Sequence, residues 1–128
     1  MKRPRILIVD DSSVMRKIVE RSLRQAGLDL GEVVEAGNGI EALTAVREGV
    51  FDLILSDINM PAMDGIEFLR ELRTIEEAKG TPVVMVTTEG SESRVVEALS
   101  IGAKGYIRKP FTPDQIKERV SPILEVMR

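Results

Sequence analysis

The chain has 128 residues, 43% hydrophobic and 30% charged, which suits one globular domain with a genuine core. Its net charge of −3 gives no electrostatic ground for binding nucleic acid. It contains neither cysteine nor histidine, which excludes thiol nucleophiles, thiolate and imidazole metal sites, and the commonest general base.

What remains for chemistry is carboxylates, hydroxyls, lysines and backbone groups, and a bound metal would be a hard, oxygen-liking ion such as Mg²⁺. The basic start, Lys2, Arg3 and Arg5, is too short for a signal peptide and lacks an apolar region and cleavage site behind it. No apolar run approaches the ~18 residues of a membrane span, so a cytoplasmic location without membrane insertion is the default expectation.

The first apolar run, residues 6–9, is "ILIV", and it ends in the adjacent carboxylates Asp10 and Asp11. Helical spacing follows, with Val14, Ile18 and Leu23 as the expected core stripe and Gly27 as the stop. A weaker strand is expected over residues 32–35. The third run, 53–55, leads to Asp57, and "MPAMDG" then opens a helix carrying Ile66, Leu69 and Leu72 or Arg73. In that loop Pro61 is expected to stiffen the chain, Gly65 to permit a turn, and the methionines to fill core gaps. A fourth strand over 83–86 ends in Thr87 and Thr88, and its helix shows Val95, Val96 and Leu99 before Gly102. A fifth strand over 105–107 ends near Lys109. The last helical pattern holds Ile116, Val120, Ile123, Leu124 and Met127, with Pro122 inside it. Proline there removes a hydrogen bond and clashes one turn back at about 3 kcal/mol, so a kink or an interruption is expected.

Five β–α units in succession imply a parallel sheet with helices on both faces, because parallel neighbours need crossover connections. With no linker or repeat, residues 1–128 read as one domain. In such sheets the ligand crevice lies outside the carboxyl ends of the strands. If the first and third strands are neighbours at a topological switch point, Asp10, Asp11 and Asp57 meet in one cleft. Three carboxylates together are unfavourable without a cation, and Mg²⁺ would relieve them. A hydroxyl and the Lys109 ammonium beside a metal-bound carboxylate would form a phosphoryl receptor, with the carboxylate as a covalent nucleophile.

Each signal also has a plainer reading. Asp10 and Asp11 could cap the first helix. Thr87 and Thr88 could be ordinary strand residues, Lys109 a surface lysine, and Tyr106 a packing ring. "EAGNGIEAL", residues 35–43, has glycines but no strand–GxGxxG–helix arrangement, so a dinucleotide site is not expected.

Together, "LIVDDSSVMR", "DLILSDINMPAMDGIEFLRELR", "VVMVTTEG" and "GAKGYIRKPF" resemble the receiver domain of two-component response regulators, most closely the stand-alone chemotaxis members. The likeness covers almost the whole chain. It implies a flavodoxin-like, doubly wound five-stranded parallel sheet in the order 2-1-3-4-5 with five helices. It implies phosphorylation of Asp57 by a phosphohistidine of a sensor histidine kinase, with Mg²⁺ as cofactor. Mg²⁺ would be held by Asp11, Asp57 and the backbone carbonyl of Asn59, with Asp10 helping through water. Lys109 would contact the phosphoryl group before a cis Lys109–Pro110 peptide. Thr87 and Tyr106 would act as the switch, and Asn59 and Glu89 would tune dephosphorylation.

The resemblance also implies output through the face of the fourth helix, fifth strand and fifth helix. With no output domain expected to follow, the signal would leave by protein–protein contact, from a monomer. The loop "EGSESR" has Gly90, Ser91 and Glu92 where the motor-binding members carry basic residues. Output therefore stays open between a flagellar switch protein and a phosphorelay or other signalling partner. On this reading the domain catalyses only its own phosphorylation and dephosphorylation. The alternative from another class is an aspartyl-phosphate hydrolase. Such enzymes need a second acid beside the nucleophile and usually a cap; Asn59 stands at that place, and the chain is too short for a cap.

Overall fold

The structure, a computed structural model, describes residues 3–88, 90 and 92–126. Lys2, Glu89, Ser91 and Met127, all singled out above, lie outside the described residues. In chain order the elements are β1 (Ile6–Val9), α1 (Ser13–Gln25), β2 (Val33–Ala36), α2 (Gly39–Glu48), β3 (Leu53–Ser56), α3 (Gly65–Leu72), β4 (Val83–Thr87), α4 (Glu92–Ser100), β5 (Gly105–Arg108) and α5 (Pro113–Val126). The strands form one sheet, ordered β2-β1-β3-β4-β5 and parallel throughout.

Strand alternation divides the interior into two cores. Ile6, Ile8, Leu53, Leu55, Val84 and Val86 face Val19 and Leu23 of α1 and Ile116, Val120 and Leu124 of α5. Leu7, Val9, Ile54, Val83 and Met85 face the other way, toward Leu43 of α2, Phe68, Leu69 and Leu72 of α3, and Ala98 of α4. Both faces of the sheet are thus covered, which is why β1, β3 and β4 read as unbroken apolar runs. β5 lies at an edge, and its side chains alternate between buried and exposed.

Several expectations shift. β2 spans Val33–Ala36 rather than 32–35, because pairing with β1 aligns Ile6 with Val33 and Val9 with Ala36. β3, β4 and β5 each run one residue further than expected. The apolar stripe of α1 is also displaced. Val14 is 67% and Ile18 41% exposed, while Val19, Ser22 and Leu23 meet the sheet. In α4 only Ala98 is buried, and Val96 and Leu99 face outward. Spacing gave the helical period but left the phase between two adjacent stripes open.

Gly27 does stop α1. At φ 87° it lets its own N–H reach Arg24 O and the N–H of Leu28 reach Leu23 O, the paired bonds of a Schellman end. Gly102, at φ 109°, closes α4 in the same way with Ala98 and Leu99 as acceptors. Pro122 does not interrupt α5, which continues through it to Val126. It sits on the exposed face of that helix. Two ion pairs join α3 to α4, Arg70 to Glu97 at 2.7 Å and Arg94 to Asp64 at 3.1 Å.

Candidate phosphoacceptor site

β1 and β3 are adjacent, and the chain leaves β1 on opposite sides toward β2 and β3, so the switch point falls between them. Asp10 follows β1 and Asp57 follows β3 at the same edge, tied by the Asp57 N–H, which donates to Val9 O at 2.9 Å. The carboxylates of Asp10, Asp11 and Asp57 each bring an oxygen within 4.8 Å of the others. Asp10 and Asp57 are 3% and 8% exposed, whereas Asp11 stands at the open mouth.

The helix-cap alternative is decided by Ser12. Its hydroxyl accepts the Met15 N–H at 3.1 Å and caps α1, so the acid pair is not needed for that purpose. Asp10 instead accepts the Ser12 N–H at 2.9 Å through Oδ1 and the Lys109 ammonium at 2.6 Å through Oδ2. Asp57 accepts its neighbour's N–H, that of Ile58, at 2.7 Å on Oδ1, and Lys109 at 3.1 Å on Oδ2. Lys109 therefore bridges carboxylates from two strands. Burial pulls its pKa down, but the hydrogen bond to Asp10 and the charges of Asp57 and Asp10 outweigh it, and the net shift is upward. The Lys109 ammonium contacts two of three clustered carboxylates, a donor set of hard oxygens, and this fits an ion such as Mg²⁺.

The Lys109–Pro110 peptide is cis, and the Lys109 N–H donates to Thr87 O at 2.9 Å, joining the ends of β4 and β5. Of the two threonines, Thr87 is fully buried and Thr88 exposed. Asn59 is exposed on the β3–α3 loop, two residues beyond Asp57. Tyr106 is 40% exposed and lines a groove of about 690 Å³ with Arg108, Gln115, Glu118 and Arg119. The loop expectation needs correction at Gly65. Gly65 opens α3 rather than supplying a turn, and it has no positive φ. A Cβ there would collide with the backbone carbonyl of Asp57 and come within 2.9 Å of Met85 Cε. The left-handed residue of the loop is Ala62, at φ 67°. Met60 and Met63 pack against the core as expected.

Sequence reading missed Arg16 and Glu35. Arg16 Nη1 donates to the Asp10 carbonyl at 2.5 Å and Nε to Glu35 Oε1 at 2.8 Å, and Lys17 reaches Glu35 Oε2 at 2.6 Å. A signal was present, since Arg16, Val19 and Leu23 share one helical stripe, and a charge on a core stripe needs a partner. The Lys17 hydrogen bond lowers the pKa of Glu35, against the effect of burial and with help from Arg16. A lowered folded pKa gives stability that is complete above the ordinary 4.5 and lost as pH falls through the folded value. Glu35→Gln is accordingly expected to flatten the acid limb of stability against pH, read by urea unfolding between neutral pH and pH ~3.

A buried carboxylate held by a lysine and crowded by two acids at the switch point of a doubly wound sheet defines a phosphoacceptor class of domain. Residues 6–121 match the response regulator receiver domain, and the chain belongs to that family. It is 44% identical over 124 residues to chemotaxis protein CheY-3 of Vibrio cholerae, covering 97% of this chain and 94% of that protein. It is 43% identical over 121 residues to chemotaxis protein CheY of Pseudomonas aeruginosa, covering 94% and 96%. Among solved structures, the chemotaxis response regulator CheY4 of Vibrio cholerae superposes with a TM-score of 0.83 at 38% identity, over 95% of this chain and 99% of that one. The fold, with strand order 2-1-3-4-5, and the role of two-component phosphoacceptor follow from these likenesses. No helix among the described residues is long and apolar enough to cross a membrane.

Proposed function

We propose that Asp57 accepts a phosphoryl group from a phosphohistidine of a sensor kinase, and that the protein is a chemotaxis-type signalling switch. The observation that carries this is the Lys109 ammonium bridging Asp10 and Asp57 within a cluster of three carboxylates. An Asp57 oxygen bonds to phosphorus while the phosphorus–nitrogen bond breaks, and the departing imidazole nitrogen takes the electron pair. The Ile58 N–H and Lys109 hold the carboxylate for that approach, and Lys109 then pairs with a phosphoryl oxygen.

Asp11, Asp57 and the Asn59 carbonyl would hold Mg²⁺, with Asp10 acting through water. The ion supplies neutralisation of charge on the transferring group. Thr87 and Tyr106 relay the change to the face of α4, β5 and α5, where Tyr106 already borders a groove. Asn59 and Glu89 tune the attack of water that returns the carboxylate and releases inorganic phosphate. Names of relatives at 41–44% identity support the chemotaxis output.

The Asp57→Asn variant, incubated with Mg²⁺ and a small acyl phosphate donor, is expected to take up no phosphoryl group, whereas wild type is labelled. Mass spectrometry of the intact chain reads the difference, and ordinary labelling of the variant would remove Asp57 from its role. Output is read by titrating wild type, with Mg²⁺ and beryllofluoride, against the N-terminal peptide of a flagellar switch protein. Tighter binding in the activated state alone supports that partner, and equal or absent binding directs the search to a relay partner.

A further inference from the structure

We propose that Arg16 is the positioning residue for the acid loop. Its guanidinium holds the Asp10–Asp11 peptide so that the Asp11 carboxylate is aimed at the cation, and Glu35 holds the guanidinium. This rests on the metal site proposed above and says what sets the geometry of that site.

Asp10 needs no help to stay in place. Its amide donates to Ala36 O at 3.1 Å, and its carboxylate is pinned by the Ser12 N–H and by Lys109. Asp11 is different, being the exposed member of the trio. Its carboxylate direction follows from the plane of the peptide before it, and the oxygen of that peptide is the one Arg16 grips at 2.5 Å. A planar, forked guanidinium can fix one acceptor while a second fixes it, and Glu35 provides the second at 2.8 Å. Glu35 sits in β2, so the chain of contacts runs from sheet to helix to acid loop. Arg16 and Glu35 side chains are only 18% and 24% exposed, so neither swings freely in water.

Positioning and charge make opposite demands, and this gives the test its sign. Arg16 is a cation near a cation site, so if charge were its whole effect, deleting it would tighten Mg²⁺ binding. If it positions Asp11, deleting it weakens binding, by about ten- to a hundredfold on the usual scale for residues that orient metal ligands. The measurement is calorimetric titration of the full chain with Mg²⁺ alone, for wild type, Arg16→Ala, Arg16→Lys, Glu35→Ala and the Arg16→Ala/Glu35→Ala double variant.

We expect weaker binding in all four variants, with the double variant no weaker than Arg16→Ala, because Glu35 acts through Arg16. The amide resonance of Asp11 in the metal-free protein is expected to move in each. Unchanged or tighter Mg²⁺ binding by folded Arg16→Ala would overturn the inference. Should that variant not fold, Arg16→Lys decides, since it keeps the charge and loses the planar fork; unchanged affinity there overturns the inference equally. Failure of the metal site itself is distinct, because wild type would then bind no Mg²⁺.

Discussion

Lys109→Met is expected to cost about 3–5 kcal/mol of stability in Mg²⁺-free buffer, the range for removing one partner of a buried ion pair. The side chains of Lys109, Asp10 and Asp57 are only 9%, 5% and 10% exposed, so water cannot take over the lost charge. Methionine keeps the unbranched apolar stem out to the ε position and drops the terminal nitrogen, so the loss is chiefly that of the ammonium. What remains is two buried carboxylates and Asp11 with no cation bridging them. Urea unfolding measures the cost, and a loss below about 1 kcal/mol would mean that the pair is solvated like a surface bridge. Added Mg²⁺ is expected to stabilise the variant more than wild type, because it supplies the charge that Lys109 no longer does. In wild type the pKa of Lys109 is raised, so its contribution is complete below the ordinary 10.5 and is lost only as pH climbs through the folded value.

Gly65→Ala is expected to lower stability by about 3 kcal/mol, the upper end for overpacking, and to slow phosphoryl uptake about a hundredfold. The added carbon would collide with the Asp57 carbonyl oxygen and lie 3.0 Å from the carbonyl carbon, and backbone has no rotamer with which to retreat. The Gly65 N–H is also bound to Ile58 O at 2.7 Å, so α3 cannot back away without giving up that bond. The strain therefore falls on Asp57, the proposed acceptor, and displacement near 1 Å costs reactivity about a hundredfold. Gly27→Ala is the control. Its φ of 87° makes alanine cost about 1–2 kcal/mol, but nothing lies within 4 Å, so phosphoryl uptake is expected to stay at the wild-type level. Equal uptake by both variants would show that the contact does not reach Asp57.

The contrast between these glycines shows what was legible in the sequence and what was not. Gly27 could be read as a helix stop because the requirement is local: a left-handed residue after an amphipathic run. The reason for Gly65 could not, since it depends on a carbonyl eight positions back that the fold brings against it. The carboxylate trio was legible for a related reason. Asp10 and Asp57 end apolar runs, and the rule for parallel sheets places strand ends on one edge. Arg16 was overlooked because a basic residue in a helix is ordinary until the phase of that helix is known. The same uncertainty of phase put Val14 and Ile18 inside when they lie outside.

The helix α4 keeps one side chain, Ala98, fully buried, while α3 buries five residues. Its other ties to α3 include two surface ion pairs, each worth at most about 1 kcal/mol and screened by salt. Detaching this helix exposes little apolar surface, so it costs far less than melting the domain. By burial α4 is thus held less firmly than α3, and a change in its seat next to β5 would cost less than any change in the sheet that holds the carboxylates.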